Sequence, residues 1–276
     1  MRLGMSLRTM GDNATRDVLV RSAQLLEAAG FDDLFVPDHI AIPPDDAEGS
    51  GGRYLDPLGT LLFLAGHTER IGLGVGVLVL PYRPALATAK VVATLQELSG
   101  GRFVLGVGVG WMEAEFRAVG VASKRRGRIT DETLDFFERA FASDRVESNG
   151  QPLLFLPRPQ RPPILVGGRA QHALARAARY GDGWMPMSQH PEKLRAPIQE
   201  LRERFAAAGK PAPDVAVMTS LPAEDRAQAE DALGAWQEVG ATRVIDGHSR
   251  FAHFAELEER IELLGSLRAV LTGGKA

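Results

Sequence analysis

Asp38 and His39 are adjacent and directly follow a short apolar run, Leu34–Pro37. An imidazole exchanges protons near neutral pH, and a neighbouring carboxylate can orient or stabilise it, so His39 is a candidate general acid or base. The plainer alternative makes Asp38 a loop cap and His39 a satisfied rim residue. Further along, the run Ile164–Val166 leads into Gly167, Gly168 and Arg169. Backbone N–H groups turned outward there, at the start of a helix and beside a guanidinium, would suit a phosphate. A Gly-Gly pair after a strand is also an ordinary tight turn.

Glycine placement is the strongest feature of the chain. Ile71–Val77 reads Ile, Gly, Leu, Gly, Val, Gly, Val, and Leu105–Trp111 reads Leu, Gly, Val, Gly, Val, Gly, Trp. Side chains alternate along a strand, so Gly72, Gly74 and Gly76 share one face, and Gly106, Gly108 and Gly110 share another. Glycine weakens a strand interior and marks places where a ligand or another backbone comes close. A flat ring system fits two such bare faces side by side. The alternative is that these glycines make room for bulky core side chains.

Other candidates are weaker. Trp111 and Trp184 follow or end glycine-bearing strands and are assigned to an apolar substrate pocket, although core packing suits Trp184 equally well. His248, with Arg250 and Phe251 near it, is a candidate substrate contact. Glu113 and Glu115 fall at the start of the next segment and receive no role. The histidines other than His39 lack ligand spacing, so no metal is expected. There is no Cys and no G-x-S-x-G, which leaves thiol chemistry and acyl transfer without support.

These groups need positioning, and the periodicity supplies the elements. Eight short β-prone runs are Leu3–Leu7, Leu34–Pro37, Ile71–Leu80, Phe103–Val109, Pro163–Val166, Gly183–Met187, Val215–Thr219 and Thr242–Asp246. Each is followed by a stretch of helical period: Thr15–Ala29, Pro57–Thr68, Ala85–Leu98, Ile129–Ser143, Gln171–Arg179, Glu192–Ala208, Glu224–Val239 and Ala255–Leu271. Eight βα units predict an α/β fold, a single (β/α)8 TIM barrel spanning residues 1–276 as one domain. An open doubly wound sheet would carry a glycine fingerprint at the first strand-to-helix turn, and Arg8–Asp12 has none. In a barrel the catalytic groups sit on loops at the carboxyl ends of strands. Segments 38–55, 110–128 and 247–254 are the informative ones, and 38–55 reads as lid-like. Asp144–Pro162 belongs to the opposite face as an irregular or hairpin-like connection.

Composition narrows the partners. Of 276 residues, 45% are hydrophobic and 24% charged, with 32 basic against 35 acidic side chains and a formal charge of −3. That is globular, without a basic surface for nucleic acid. No run approaches the ~20 apolar residues that span a bilayer. A small-molecule substrate, a cytoplasmic location and no membrane or nucleic-acid partner are expected.

Taken together, the segments resemble the luciferase-like monooxygenase family, and in particular its deazaflavin (coenzyme F420) dependent branch. The resemblance rests on Thr68–Val77, on Ala93–Arg102 with its Ser99-Gly100-Gly101-Arg102, on Leu105–Trp111, and on Asp38-His39. Pro162–Gly168 and Ala177–Trp184 match in the same order; residues 1–190 carry the likeness, and the last third follows only by layout. It implies a barrel, often dimeric, with a flavin or deazaflavin ring in its mouth and a homodimeric assembly. It also implies a nonproline cis peptide at Gly76-Val77 against the ring, Val109 and Gly110 flanking it, Gly167, Gly168 and Arg169 at the phosphate, and Asp38 and His39 at the reacting edge. Sugar-phosphate dehydrogenases of the family carry an acidic residue where this chain has Trp111, which disfavours that substrate class. The expected activity is hydride exchange between F420 and a small organic substrate, with His39 handling the proton. An FMN-dependent monooxygenase and a non-catalytic flavin-binding barrel are the alternatives.

Overall fold

A computed structural model describes residues 1–247 and 251–271. The element order is β1 (Arg2–Ser6), α1 (Arg16–Ala28), β2 (Asp33–Val36), α2 (Pro57–Ala65), β3 (Gly72–Val79), α3 (Ala85–Leu98), β4 (Phe103–Gly108), α4 (Glu113–Ala118) and α5 (Arg126–Ala142). There follow β5 (Arg145–Ser148), β6 (Gln151–Leu154), β7 (Ile164–Gly167), α6 (Ala170–Tyr180), β8 (Gly183–Met185), α7 (Arg195–Ala207), β9 (Asp214–Thr219), α8 (Arg226–Glu238), β10 (Arg243–Asp246), α9 (Phe254–Ser266) and α10 (Arg268–Leu271). Eight strands close into a barrel in the order β1-β10-β9-β8-β7-β4-β3-β2. Their pairing is parallel throughout, as expected when each strand is followed by a crossover helix.

Local chemistry places the helix starts. The Thr15 and Asp56 side chains cap α1 and α2 by accepting from Val18 N and Gly59 N, and Pro57 occupies the first turn of α2 where its missing N–H costs nothing. α2 stops at Ala65, short of the expected Thr68. There the Arg102 guanidinium takes the Ala65 and Thr68 carbonyls at 3.1 and 3.0 Å, so the chain ends the helix against a side chain from the turn before β4. Within 110–128, expected as loop, the six residues of α4 form a short helix. The Asp144–Pro162 connection contains an antiparallel hairpin of β5 and β6, which turns at Asn149 and Gly150 with φ of 51° and 75°. Two successive positive φ values make the primed turn whose twist matches paired strands.

The barrel interior decides what the glycine faces are for. Register sets Asp33 of β2 beside Gly72 and Phe35 beside Gly74 of β3. A Cβ on Gly72 would lie 2.1 Å from Asp33 Oδ1, and one on Gly74 would lie 2.3 Å from the Phe35 ring. A Cβ on Gly106 would meet Val75 O at 2.2 Å. These lower glycines are therefore not bare. They make room for core bulk, and the expectation of an open face running down both strands is corrected there. The base is sealed by charge: Asp33 accepts from Arg2 at 2.8 Å and from Arg243, whose guanidinium also reaches Asp214 at 2.7 Å. Above it Phe35, Val104, Leu165, Met185, Ala216 and Ile245 fill the interior. A larger apolar cluster lies between strands and helices, which is why β2 and β4 are buried along their whole lengths.

Gly74→Ala should cost about 1–3 kcal/mol by overpacking against Phe35, and combining it with Phe35→Leu should recover part of the loss. Gly234→Ala in α8, where an added Cβ meets nothing within 4 Å, should instead stabilise by about 0.5–1 kcal/mol. Denaturant unfolding followed by circular dichroism measures both; equal effects at the two sites would refute the packing account.

Candidate active site

Near the mouth the pattern changes. The ladder between β3 and β4 shifts register by one residue between Val75 and Leu78, and the Gly76-Val77 bond within that stretch is cis. Val77 points into the mouth and nests on glycines: a Cβ on Gly108 or Gly167 would lie 2.4 or 2.8 Å from its methyl groups. Val77 thus forms a raised floor. Above it opens a cavity of about 430 Å³ lined by Gly76, Val77, Val79, Gly108, Val109 and Gly110 from the β3 and β4 ends. Gly167, Gly168, Met185, Pro186, Met187, Gln189 and Met218 close the other side, and Pro37, Asp38, His39 and Trp111 complete the rim. Gly110 has φ 77°, and a Cβ there would lie 2.6 Å from Val79, so two separate constraints require glycine.

His39 follows β2 and faces this cavity. Its Nδ1 lies 3.0 Å from Glu115 Oε2 on α4. A carboxylate at Nδ1 fixes the proton on that nitrogen and leaves Nε2 as the ring's free position. Glu115 is only 3% exposed and is fully engaged: Tyr82 OH donates to it at 3.1 Å, Ile40 N at 2.7 Å and Ala41 N at 3.3 Å. Burial raises the Tyr82 phenol above its ordinary value, and the adjacent Glu115 carboxylate adds to the effect, so Tyr82 holds its proton and acts as a donor.

Asp38 was the expected partner for His39, and its side chain has another. It is fully buried, accepts from both Arg83 nitrogens at 2.7 and 2.8 Å, and accepts from Val79 N at 2.8 Å. The orienting role falls to Glu115, which sequence reasoning left unassigned. In the run Glu113–Phe116 nothing local says which carboxylate turns inward; the one available cue was the neighbouring Phe116, which packs on Tyr82 with ring centroids 5.0 Å apart. The expected lid, 38–55, is tied down by an antiparallel bridge between Met10 and Tyr54, and Tyr54 stands 5.1 Å from the His39 ring.

The remaining candidates divide. Gly167 and Gly168 line the cavity, but Gly168 N–H already donates to Met185 O at 3.1 Å, and Arg169 sits exposed at the start of α6 rather than in the lining. Trp184 is 1% exposed and donates from its indole to Gly168 O at 2.8 Å, so it supports the turn from within the core instead of lining the substrate pocket. Its assignment to that pocket is corrected accordingly. Trp111 does lie on the rim. His248 lies outside the described residues. Among the described residues no helix is long and apolar enough to cross a membrane.

Comparison with known proteins identifies the family and the fold. The profile of the family described as luciferase-like monooxygenase matches residues 1–273. An uncharacterised protein of Mycobacterium tuberculosis is 32% identical over 209 residues, covering 69% of this chain and 72% of that one. An F420-dependent secondary alcohol dehydrogenase, solved with an F420-acetone adduct, superposes with a TM-score of 0.78 at 16% identity over 96% of this chain and 97% of its own. The oxygenating constituent of 3,6-diketocamphane monooxygenase from Pseudomonas putida, a type II Baeyer-Villiger enzyme solved with FMN, gives 0.78 at 15% identity over 96% of both chains. At such identities these two structures establish the shared fold.

Tyr82→Phe should destabilise the protein by about 1 kcal/mol at neutral pH through loss of the hydrogen bond to Glu115. An unfolded phenol ionises near about pH 10 and the folded one higher, so this contribution is full below pH 10 and shrinks as pH rises beyond it. Urea unfolding of wild type and variant between pH 7 and 11 checks the sign; a gap that widens above pH 10 would contradict it.

Proposed function

Because the chain belongs to the luciferase-like monooxygenase family, we propose that it is an F420-dependent oxidoreductase that passes hydride between the deazaflavin C5 position and a small, mainly apolar organic substrate. The observation that carries this reading is the mouth cavity itself: a floor raised by Val77, glycine backbone on several sides, and His39 aimed in from the rim with Glu115 behind it.

The residues present fit a planar heterocycle. Gly76, Gly108, Gly110, Gly167 and Gly168 bring backbone to the cavity surface without side chains, while Val77, Val79, Met185 and Met218 supply apolar walls. A tricyclic ring can lie flat there, and apolar walls exclude water from the reacting edge. Arg169 and the first-turn amides of α6 would meet the phosphate that follows the ring in either candidate cofactor. When bound, the deazaflavin supplies the hydride chemistry and the protein supplies position and a proton.

His39 handles that proton. With Nδ1 held by Glu115, Nε2 is the atom that accepts or delivers it at the substrate oxygen. Three N–H or O–H donors besides the imidazole hold the Glu115 carboxylate in place, and it in turn holds the ring by Nδ1. Asp38 contributes at one remove: by clamping Arg83 and Val79 N it fixes the end of β3 against the start of the His39 segment. The second reading, an FMN-dependent monooxygenase, is favoured by the likeness to the FMN-bound Pseudomonas enzyme, and it uses the same ring site.

Equilibrium titration of the protein with F420 and with FMN, followed by cofactor fluorescence, separates the two. Tight FMN binding with negligible F420 binding would defeat the first reading. Under the first reading, His39→Ala should retain F420 affinity and lose on the order of 10²–10⁴ in turnover. An unchanged rate would remove His39 from the proton-transfer role.

A further inference from the structure

The upper rim of the mouth cavity carries two side chains that its floor does not account for. Trp111 and Met187 line the opening, yet they are 74% and 70% exposed, the greatest values among the large apolar side chains of the described residues together with Leu154 at 70%. Isolated apolar groups on a surface need no explanation, but these two share one opening with the reactive imidazole. Trp111 stands edge-on to His39, with ring centroids 6.2 Å apart and planes at 88°. Whatever covers the indole therefore lies directly beside the group that moves the proton.

The charge of the lining points the same way. Among the described residues that line the cavity there is no Lys or Arg, the Asp38 carboxylate is turned away to Arg83, and His39 and Gln189 are the remaining polar side chains. Among these described lining residues an anionic substrate would give up its hydration with no Lys or Arg to meet it. Methionine adapts its shape to a variable apolar partner, and an indole offers a large rigid face at low entropic cost.

We propose that the substrate is uncharged and bears an extended apolar or aromatic portion, which lies across Trp111 and Met187 while its polar end faces His39. Trp111 is then the specificity-determining residue. This rests on the redox reading of the cavity above, but the rim can be tested apart from the cofactor.

Trp184 and Trp236 are 1% and 3% exposed, so collisional quenching by acrylamide reports chiefly on Trp111. In the full-length protein without cofactor, the neutral probe N-phenyl-1-naphthylamine should protect this tryptophan from acrylamide, and its sulfonated anionic analogue should bind at least tenfold more weakly. Trp111→Ala should weaken the neutral probe tenfold or more, with Trp111→Phe intermediate. In turnover with F420, KM across a series of neutral 2-alkanones should fall by about fourfold per added methylene until the rim is covered, and the gradient should flatten in Trp111→Ala. Equal binding of the two probes, a probe affinity indifferent to Trp111→Ala, or quenching that falls with protein concentration before any probe is added would overturn the proposal, the last because the rim would be a contact between copies. Probe binding that behaves as expected in a protein without affinity for F420 would leave the rim standing and remove the F420 reading. F420 turnover without a chain-length gradient would do the reverse.

Discussion

A carboxylate withdrawn from water must find donors, and Glu115 finds four of them in two separate parts of the chain. Ile40 and Ala41 offer backbone N–H groups from the loop after β2, Tyr82 offers its phenol from the turn after β3, and His39 offers Nδ1. Each donor is useless to the others unless α4 brings the carboxylate among them, so the interaction pins the segment after β2 and the turn after β3 to α4. Removing Glu115 would leave the buried Tyr82 hydroxyl and the half-buried imidazole with nothing to accept their hydrogens, a larger loss than one surface ion pair. The direction of the imidazole, the nitrogen it presents to the cavity and the shape of the rim all depend on this one desolvated group.

The ion pair of Asp38 and Arg83 is its structural counterpart. Both Asp38 oxygens are used, and Arg83 reaches on to Asp56, which also caps α2. The end of β2, the end of β3 and the start of α2 are thereby joined around a buried charge pair. Adjacent residues, Asp38 and His39, serve two different networks: Asp38 meets Arg83 and Val79 N, and His39 meets Glu115.

Along each strand the same alternation governs how the barrel is filled. Low in the barrel, glycines of β3 stand opposite Asp33 and Phe35, so the interior is solid; near the mouth, Gly108 and Gly167 surround Val77, and beyond Val77 the space opens. Glycine therefore plays two roles in a single motif. Which role applies depends on what the neighbouring strand places opposite it, and a repeated Gly-x-Gly carries no information about that neighbour.

The eight barrel strands, the helices that follow them and the closed barrel were legible from periodicity, because each element announces itself in the residues that form it. So was the prominence of His39 and of the glycine runs. The Asp144–Pro162 connection, expected as irregular or hairpin-like, is a hairpin that turns at Asn149 and Gly150. What tertiary structure alone decided were the pairings between distant residues: Glu115 rather than Asp38 behind His39, Phe35 against Gly74, Trp184 beneath the Gly168 turn and Trp111 above the opening. Sequence records the type and spacing of a side chain, whereas a hydrogen bond or a packing contact is set by which strand lies next to which and by how far each is slid along the other.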